Sequence, residues 1–304
     1  MGEVTVEHRH RPVLLEEVLT ILRPQSGGRY LDATVGLGGH AEAILAASAP
    51  AGRLYGIDRD AEALALARDR LGRFGDRVEL CRADFAGLSA IAAEQGWGPF
   101  DGIVFDLGVS SFQLDDASRG FSFMREGPLD MRMDRHGCER SAAELLARIS
   151  ERDLARLLQE YGEERWARRI ASRIVQERQT RPLTSTAQLA RLVAAAVPRR
   201  AWPRRIHVAT RTFLALRIAV NNELARLRRG LQEAVALLAA GGRISVISFH
   251  SLEDRIVKET LRGWARSDPP HVRLLTKRPI CPTEPEIEAN PRARSAKLRA
   301  AERC

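Results

Sequence analysis

The sequence predicts an α/β protein: a parallel sheet of the open, nucleotide-binding type, interrupted by an all-helical insertion. Between Arg29 and Leu107, four strand-like apolar runs alternate with helical patterns, which is the rhythm of parallel strands joined by crossover helices. After Ser111 that rhythm stops, and from Ser141 to about Val197 only helical periodicity is present. A fifth strand-like run, Arg243–Phe249, then resumes the first pattern.

Taken in order, the chain opens with an entry segment, His8 to Pro24. It carries a short amphipathic helix (Val13, Leu14, Leu15, Val18, Leu19, Leu22) that Pro24 stops. The strand runs are Arg29–Val35, Arg53–Ile57, Val78–Cys81 and Ile103–Leu107, separated by helical patterns over His40–Ala49, Ala61–Leu71 and Leu88–Glu94. Phe112–Arg140 is rich in Gly, Asp, Met and Arg and has no steady period. The helical stretch that follows breaks at Thr180-Arg-Pro182. One long helix is expected from Thr210 or Phe213 to Ala239, with Gly241-Gly242 as its C-cap. After the fifth strand come a helix, Leu252–Trp264, and two extended segments, Val272–Lys277 and Ser295–Ala300, which fit a hairpin-like pair closing the sheet. The expected domains are therefore 1–112 with 212–304, and a helical insert over 113–211.

Composition narrows the function classes. Of 304 residues, 44% are hydrophobic and 29% charged, enough for a core and unlike a disordered chain. No apolar run reaches the length of a membrane span, no signal-peptide core follows Arg9 and Arg11, and the start lacks the Ser or Thr of a myristoylation site. Cys81, Cys138, Cys281 and Cys304 are far apart with no C-x-x-C pair. That spacing argues against zinc and against a disulfide framework, so no metal is expected and a reducing cytoplasm is.

The net charge of +9 fits either a solvated Arg-rich surface or a polyanionic partner such as nucleic acid. Its distribution favours the second. Between Arg165 and Arg217 stand Arg165, Arg168, Arg169, Arg173, Arg178, Arg181, Arg191, Arg199, Arg200, Arg204, Arg205, Arg211 and Arg217, against the single acid Glu177. A solvated helix face normally mixes signs, whereas arginine forks suit phosphates and stack on unpaired bases. Trp166 and Trp202 lie among them, Trp166 as an expected core residue.

Chemistry concentrates at Tyr30–Ala41, where an apolar run ends at Asp32 and passes through Gly36, Gly38 and Gly39 into a helix. Glycines there can take left-handed backbone angles and let a ligand approach closely. Gly36-Leu-Gly38-Gly-His-Ala41 matches the dinucleotide fingerprint, and an acid, Asp58, ends the second strand about 20 residues further on. A nicotinamide dehydrogenase is thus one reading. Asp32 favours another, because an acid at the mouth of the turn repels a pyrophosphate and suits a ligand with an amino group. S-adenosylmethionine is such a ligand, and the closing pair of strands also favours it. Asp84 and Phe85 follow strand three, where an acid can accept from an adenine amino group and a ring can stack or merely pack in the core. Asp106 ends strand four, where a ligand's reactive end would lie. A non-catalytic RNA-binding module would have no need of acids at four strand ends.

Five stretches resemble a known family: Asp32–His40, Asp106-Leu-Gly-Val-Ser-Ser-Phe-Gln-Leu-Asp115, Arg119–Asp134, Ser248-Phe-His-Ser-Leu-Glu-Asp-Arg255 and Asn290-Pro-Arg-Ala-Arg-Ser295. The family is that of the bacterial 16S ribosomal RNA cytosine-N4 methyltransferases, the RsmH/MraW family, and the likeness runs from His10 to Glu302. It implies a Rossmann-like S-adenosylmethionine-dependent methyltransferase sheet with an inserted helical, RNA-recognition domain. It also implies methylation of one cytidine at the decoding centre (P-site region) of the small subunit's 16S RNA. Carried over by position, cofactor contacts fall on Gly38, Gly39, His40, Asp58, Phe85, Asp106 and Gln113. His40 and Gln113 rest on the resemblance alone. Thr34 stands where most methyltransferases carry a first glycine, and Val208 and Leu214 depart from the Pro and Gln of the family's stretch there.

For such a reaction the site must accept hydrogens from a cytosine amino group whose lone pair is delocalised into the ring. Asp106, or the Asp106–Ser111 turn with Ser110, is the expected acceptor, and a purely cofactor-binding Asp106 is the alternative. His250 follows strand five and is either a substrate contact or a loop-fixing hydrogen-bonder. Met124, Met131 and Met133 could line a base pocket or fill core gaps. RNA contacts are expected at Arg199, Arg200, Arg204 and Arg205, with a monomer or homodimer as the assembly.

Overall fold

The computed structural model describes residues 12–137 and 139–304, so expectations that fall on His8–Arg11 or Cys138 lie outside it. The chain divides into two compact units. One comprises residues up to Gly108 with Leu224–Cys304, and the other is Val109–Glu223.

In the first unit, α1 (Leu15–Leu22), β1 (Arg29–Asp32), α2 (Gly39–Ala47), β2 (Arg53–Asp58), α3 (Ala61–Leu71), β3 (Val78–Arg82), α4 (Leu88–Gln95) and β4 (Phe100–Asp106) follow one another as the alternation predicts. The second unit holds α5 (Ser111–Asp115), α6 (Ala142–Arg148), α7 (Glu151–Gly162), α8 (Ala167–Thr180), α9 (Thr186–Ala196) and α10 (Thr210–Asn221). The chain then continues through α11 (Glu223–Leu237), β5 (Leu238–Ser248), α12 (Ser251–Ala265), β6 (Val272–Leu274), α13 (Glu284–Ala289) and β7 (Lys297–Arg303).

The seven strands form one sheet in the order β3-β2-β1-β4-β5-β7-β6. β1 to β5 are mutually parallel, and β7 runs antiparallel between β5 and β6. This is the Rossmann-like sheet with a closing antiparallel pair. Its inner strands are buried on both faces, which is why Ile103-Val104-Phe105 reads as unbroken apolar sequence. Successive side chains pack oppositely: Leu31, Ile103 and Phe105 join Leu227, Leu231 and Ile256 in one core, while Tyr30, Val104 and Ile247 join Val18, Ile44 and Leu45 in another. The strand order reverses between β1 and β4, and a ligand crevice forms at the carboxyl ends of strands at such a switch point.

The second unit has its own core, in which pairs at helical spacing such as Leu154/Leu158, Ile170/Ile174 and Leu189/Val193 meet Phe213 and Leu216. Its helix starts are written in the sequence: Ser141 with Glu144, and Ser185 with Gln188, form reciprocal capping boxes on α6 and α9. Pro182 lies just past the end of α8, as expected.

Two expectations about the 210–242 stretch fail. The long helix over 210–239 is two helices, because Asn222 adopts the left-handed conformation (φ 50°, ψ 38°) and ends α10. Asn tolerates that conformation better than most residues, and helical periodicity on both sides hides the break. Gly241-Gly242 caps no helix: it sits where β5 bulges against β4, whose partners shift from Phe100↔Leu238 to Gly102↔Arg243. The three methionines do not share a pocket either. Met131 is fully buried in the second unit's core, Met133 packs on its edge, and Met124 is 81% exposed.

The irregular Arg119–Asp134 stretch is held by buried polar groups rather than by secondary structure. The buried Arg119 donates to the carbonyls of Arg132 and Met133. Asn221, fully buried, accepts from the Met133 N–H at 2.8 Å and donates to the carbonyls of Met131 (2.8 Å) and Arg217 (2.9 Å). Among the described residues no helix is long and apolar enough to cross a membrane.

Replacing Asn221 by Ala strands the Met133 N–H and the Met131 carbonyl at once. Asn221→Ala is expected to cost about 1–3 kcal/mol, read as a lower urea midpoint for the helical unit. An unchanged midpoint would remove Asn221 as the anchor of the 119–134 stretch.

Candidate active site

The carboxyl edge of β1, β2 and β4 gathers the acids that the sequence placed there. Asp32, 1% exposed, ends β1 and accepts from the Thr34 N–H at 3.0 Å. Asp58 ends β2 and accepts from the Gly36 N–H and from Asp60 N–H, both at 2.8 Å. Asp106 ends β4, and its N–H donates to Thr34 Oγ1 at 2.6 Å. Thr34, which replaces a glycine, thereby fastens the glycine turn to the end of β4.

Gly36 and Gly38 occupy left-handed angles (φ 52° and 81°) that other side chains rarely take. Gly38 is the N-cap of α2 and makes no side-chain cap hydrogen bond.

His40 is the residue whose role the sequence alone did not reveal. It is 5% exposed, with Nε2 at 3.0 Å from the Val13 carbonyl and Nδ1 at 3.6 Å from Asp106 Oδ2. The carbonyl can only accept, so Nε2 carries a proton and, in the neutral ring, Nδ1 presents its lone pair to Asp106. Asp106 keeps 29% of its side chain exposed, while its Oδ1 is buried without a hydrogen-bond partner.

These carboxyls are short of positive charge. Among the described residues no Lys or Arg pairs with Asp32, Asp58 or Asp106. Burial pushes Asp32 up to about 7, with Asp58 adding to the rise and the Thr34 amide opposing it. Burial likewise raises Asp106 to about 8, reinforced by Asp32 and Glu253. Burial raises Asp58 too, against the amides of Asp60 and Gly36. Glu253 was not singled out from sequence: it is 2% exposed on α12 and accepts from the Phe249 N–H at 2.8 Å. Its signal was an acid in the first turn of a helix directly after a strand.

Other expected residues have different surroundings. Asp84 is committed elsewhere: Oδ1 accepts from the Ala86 N–H at 2.9 Å, Oδ2 pairs with Arg226, and Arg59 lies 3.7 Å away. An adenine amino group would therefore meet a carboxylate already neutralised. Phe85 packs edge-to-face on Phe105 (5.5 Å) and partly into the core, so the core reading holds for one edge of its ring. Gly230 of α11 makes room for it, since a Cβ there would fall 2.4 Å from Phe85 Cδ2. His250 is the N-cap of α12, with Nδ1 accepting from the Glu253 N–H (3.4 Å) and Nε2 3.1 Å from Glu253 Oε1. That is the loop-fixing arrangement, with 10% of the side chain exposed.

In the second unit, Ser110 and Gln113 form a capping box on α5: Ser110 Oγ accepts from the Gln113 N–H and Gln113 Oε1 accepts from the Ser110 N–H. The four expected RNA contacts, Arg199, Arg200, Arg204 and Arg205, are all exposed. Arg178 and Arg217 are not available to phosphates. Arg178 donates to the carbonyls of Leu146 and Ile149 at the end of α6, and Arg217 pairs with Glu223 at 2.8 Å.

Comparison with known proteins adds to this geometry. A model of the MraW methylase family matches residues 7–304. A protein named ribosomal RNA small subunit methyltransferase H from Geobacter sp. (strain M21) is 52% identical, over 98% of this chain and 99% of that protein. One of the same name from Syntrophobacter fumaroxidans is 52% identical, over 97% and 96%. Among solved structures, TrmN from Thermus thermophilus is similar at 15% identity and TM-score 0.45, over 96% of this chain and 48% of that one.

The raised carboxyls set a pH dependence. Asp32 and Asp106 hold their protons on the folded chain to a higher pH than on the unfolded one, where the ordinary value is 3.8. Their contribution to stability is complete below about pH 4 and is lost as pH rises through about 7 to 8. The ligand-free protein should therefore lose stability across that window, and Asp106→Asn should flatten the loss and stabilise the protein at about pH 8.5. Denaturant midpoints measured at about pH 5 and about pH 8.5 check this, and parallel slopes for wild type and variant would contradict it.

Proposed function

This chain belongs to the MraW methylase family, and on that premise we propose that it methylates the N4 amino group of a cytidine in the decoding centre of small-subunit 16S ribosomal RNA. S-adenosylmethionine is the methyl donor. The observation that carries the chemistry is the buried Asp106–His40 pair at the end of β4.

The residues present fit that cofactor. It is cationic at sulfur and carries an amino group, and the site offers Asp32, Asp58 and Asp106 without basic partners among the described residues. A pyrophosphate would be repelled by the same three carboxyls, which disfavours the dehydrogenase reading. Asp32 and the glycine turn would hold the amino-acid end, Asp58 the ribose hydroxyls through its remaining lone pairs, and Phe85 one face of the adenine. When bound, the cofactor supplies an electrophilic methyl group.

The chain's own contribution is to position and to accept. As a cytosine amino nitrogen rehybridises toward tetrahedral geometry, its N–H groups need an acceptor fixed in place. Asp106 Oδ1, buried and unpartnered, provides one, while the His40 ring, fixed by the Val13 carbonyl, packs 3.6 Å from Oδ2. The surplus proton can rest on the carboxyl, because burial and the neighbouring acids Asp32 and Glu253 favour its protonated form. Ser110 could assist only through the hydroxyl hydrogen that its capping role leaves over. Arg199, Arg200, Arg204 and Arg205 would bind RNA phosphates, and the target base must be unstacked to react.

Two outcomes test this. Asp106→Asn should lower turnover at saturating cofactor by about a hundredfold or more, the usual worth of a positioned acceptor, beyond any loss of cofactor affinity. Loss of binding with no separate turnover defect would leave Asp106 a cofactor residue only. Reversing Arg199/Arg200 or Arg204/Arg205 to Glu should weaken RNA binding and reduce its salt dependence, leaving S-adenosylmethionine affinity intact. Mapping the methylated nucleotide in small-subunit RNA then decides the N4-cytidine assignment.

A further inference from the structure

The exposed arginines of the second unit surround a set of aromatic rings that the phosphate-binding reading does not use. His207 is exposed, and its ring lies 4.6 Å from that of Phe123, tilted by 31°. Phe123 is in turn backed edge-to-face by Phe213 at 4.9 Å. Trp202 stands 6.4 Å from His207, and the Arg199 guanidinium covers the Trp202 ring at 4.3 Å.

The exposed His207 and the half-buried Trp202 are each fixed by a nearby backbone group. His207 Nδ1 accepts from the Ala209 N–H at 3.1 Å, so the proton of the neutral imidazole sits on Nε2. Trp202 Nε1 donates to the Val197 carbonyl at 3.1 Å. Of the three large apolar side chains exposed among the described residues, two adjoin the stack in the chain: Met124 (81%) follows Phe123, and Ile206 (45%) precedes His207. An exposed, pre-ordered ring stack with apolar neighbours needs an occupant, and the surrounding charge selects one. No Asp or Glu occurs between Glu177 and Glu223, while Arg199, Arg200, Arg204 and Arg205 are all exposed.

We propose that His207, backed by Phe123 and flanked by Trp202, is a stacking shelf for an unpaired base of the RNA substrate, with the neighbouring arginines on its flanking phosphates. This deepens, and rests on, the RNA-methylation reading above. A duplex buries the faces of its bases, so the shelf fits a single-stranded or looped segment. Because every base has a face, the shelf orders the strand without reading its sequence, and His207 Nε2–H remains free to donate to a phosphate or a base edge.

The test uses full-length protein and a fluorescein-labelled, short single-stranded oligoribonucleotide, beside the same strand with abasic sites, read by anisotropy. Wild type should bind the normal strand about five- to tenfold more tightly than the abasic one, the scale of one stacked base. His207→Ala should lose that preference with an unchanged salt slope, and His207→Phe should restore it. Arg204→Glu/Arg205→Glu should instead lower the salt slope and keep the preference. S-adenosylmethionine affinity reports that each variant is folded. If His207→Ala retains the full preference while the arginine variant weakens binding, RNA is held by charge alone and the shelf is overturned. If neither variant alters RNA binding yet small-subunit RNA is still methylated, the RNA face lies elsewhere and the shelf falls again. Failure of methyl transfer by wild type defeats the underlying reading instead.

Discussion

A row of buried and half-buried carboxyls without basic partners among the described residues governs the α/β unit. Asp32, Asp58 and Asp106 are brought together because β1 lies between β2 and β4, and each loses hydration that no Lys or Arg side chain restores. Backbone amides and protonation carry the deficit in the ligand-free protein. On the proposed function, a cation entering the crevice would relieve it, and the site is built at some cost to stability. His40 belongs to this constraint: its ring, fixed by the Val13 carbonyl, lies 3.6 Å from Asp106 Oδ2.

Much of this was legible in the residues. An acid that ends an apolar run is conspicuous, and three of the four strand-end acids lie where that pattern places them. The environment of the fourth was not legible, because Arg226, far along the chain, neutralises Asp84 only once α11 packs beside β3's end. The partnership of His40 with Asp106 was hidden for a similar reason. It depends on the order of strands in the sheet, which no local pattern states, and only the family resemblance pointed to His40. Arg178 and Arg217 look like any surface arginine until the carbonyls of α6 and the Glu223 carboxylate claim them. Asn222 ends a helix with no proline to announce it.

The helical unit solves a different problem with similar means. Its irregular 119–134 stretch has no ladder to satisfy the backbone, so Arg119 and Asn221 do so from within the core. Polar side chains there replace secondary structure, which is why a stretch without periodicity is nevertheless ordered.

The insertion point itself has a consequence. β4 and β5 are parallel neighbours, and such a pair always requires a long crossover. The Val109–Glu223 unit is that crossover, grown large enough to own a core. Closure entropy rises only logarithmically with the length of a loop, so enlarging an obligatory connection burdens the sheet far less than opening a tight turn would. The connection between β4 and β5 is thus a place where the chain can be lengthened while the ends of β1, β2 and β4 keep their register, and the exposed Arg199, Arg200, Arg204 and Arg205 lie within it.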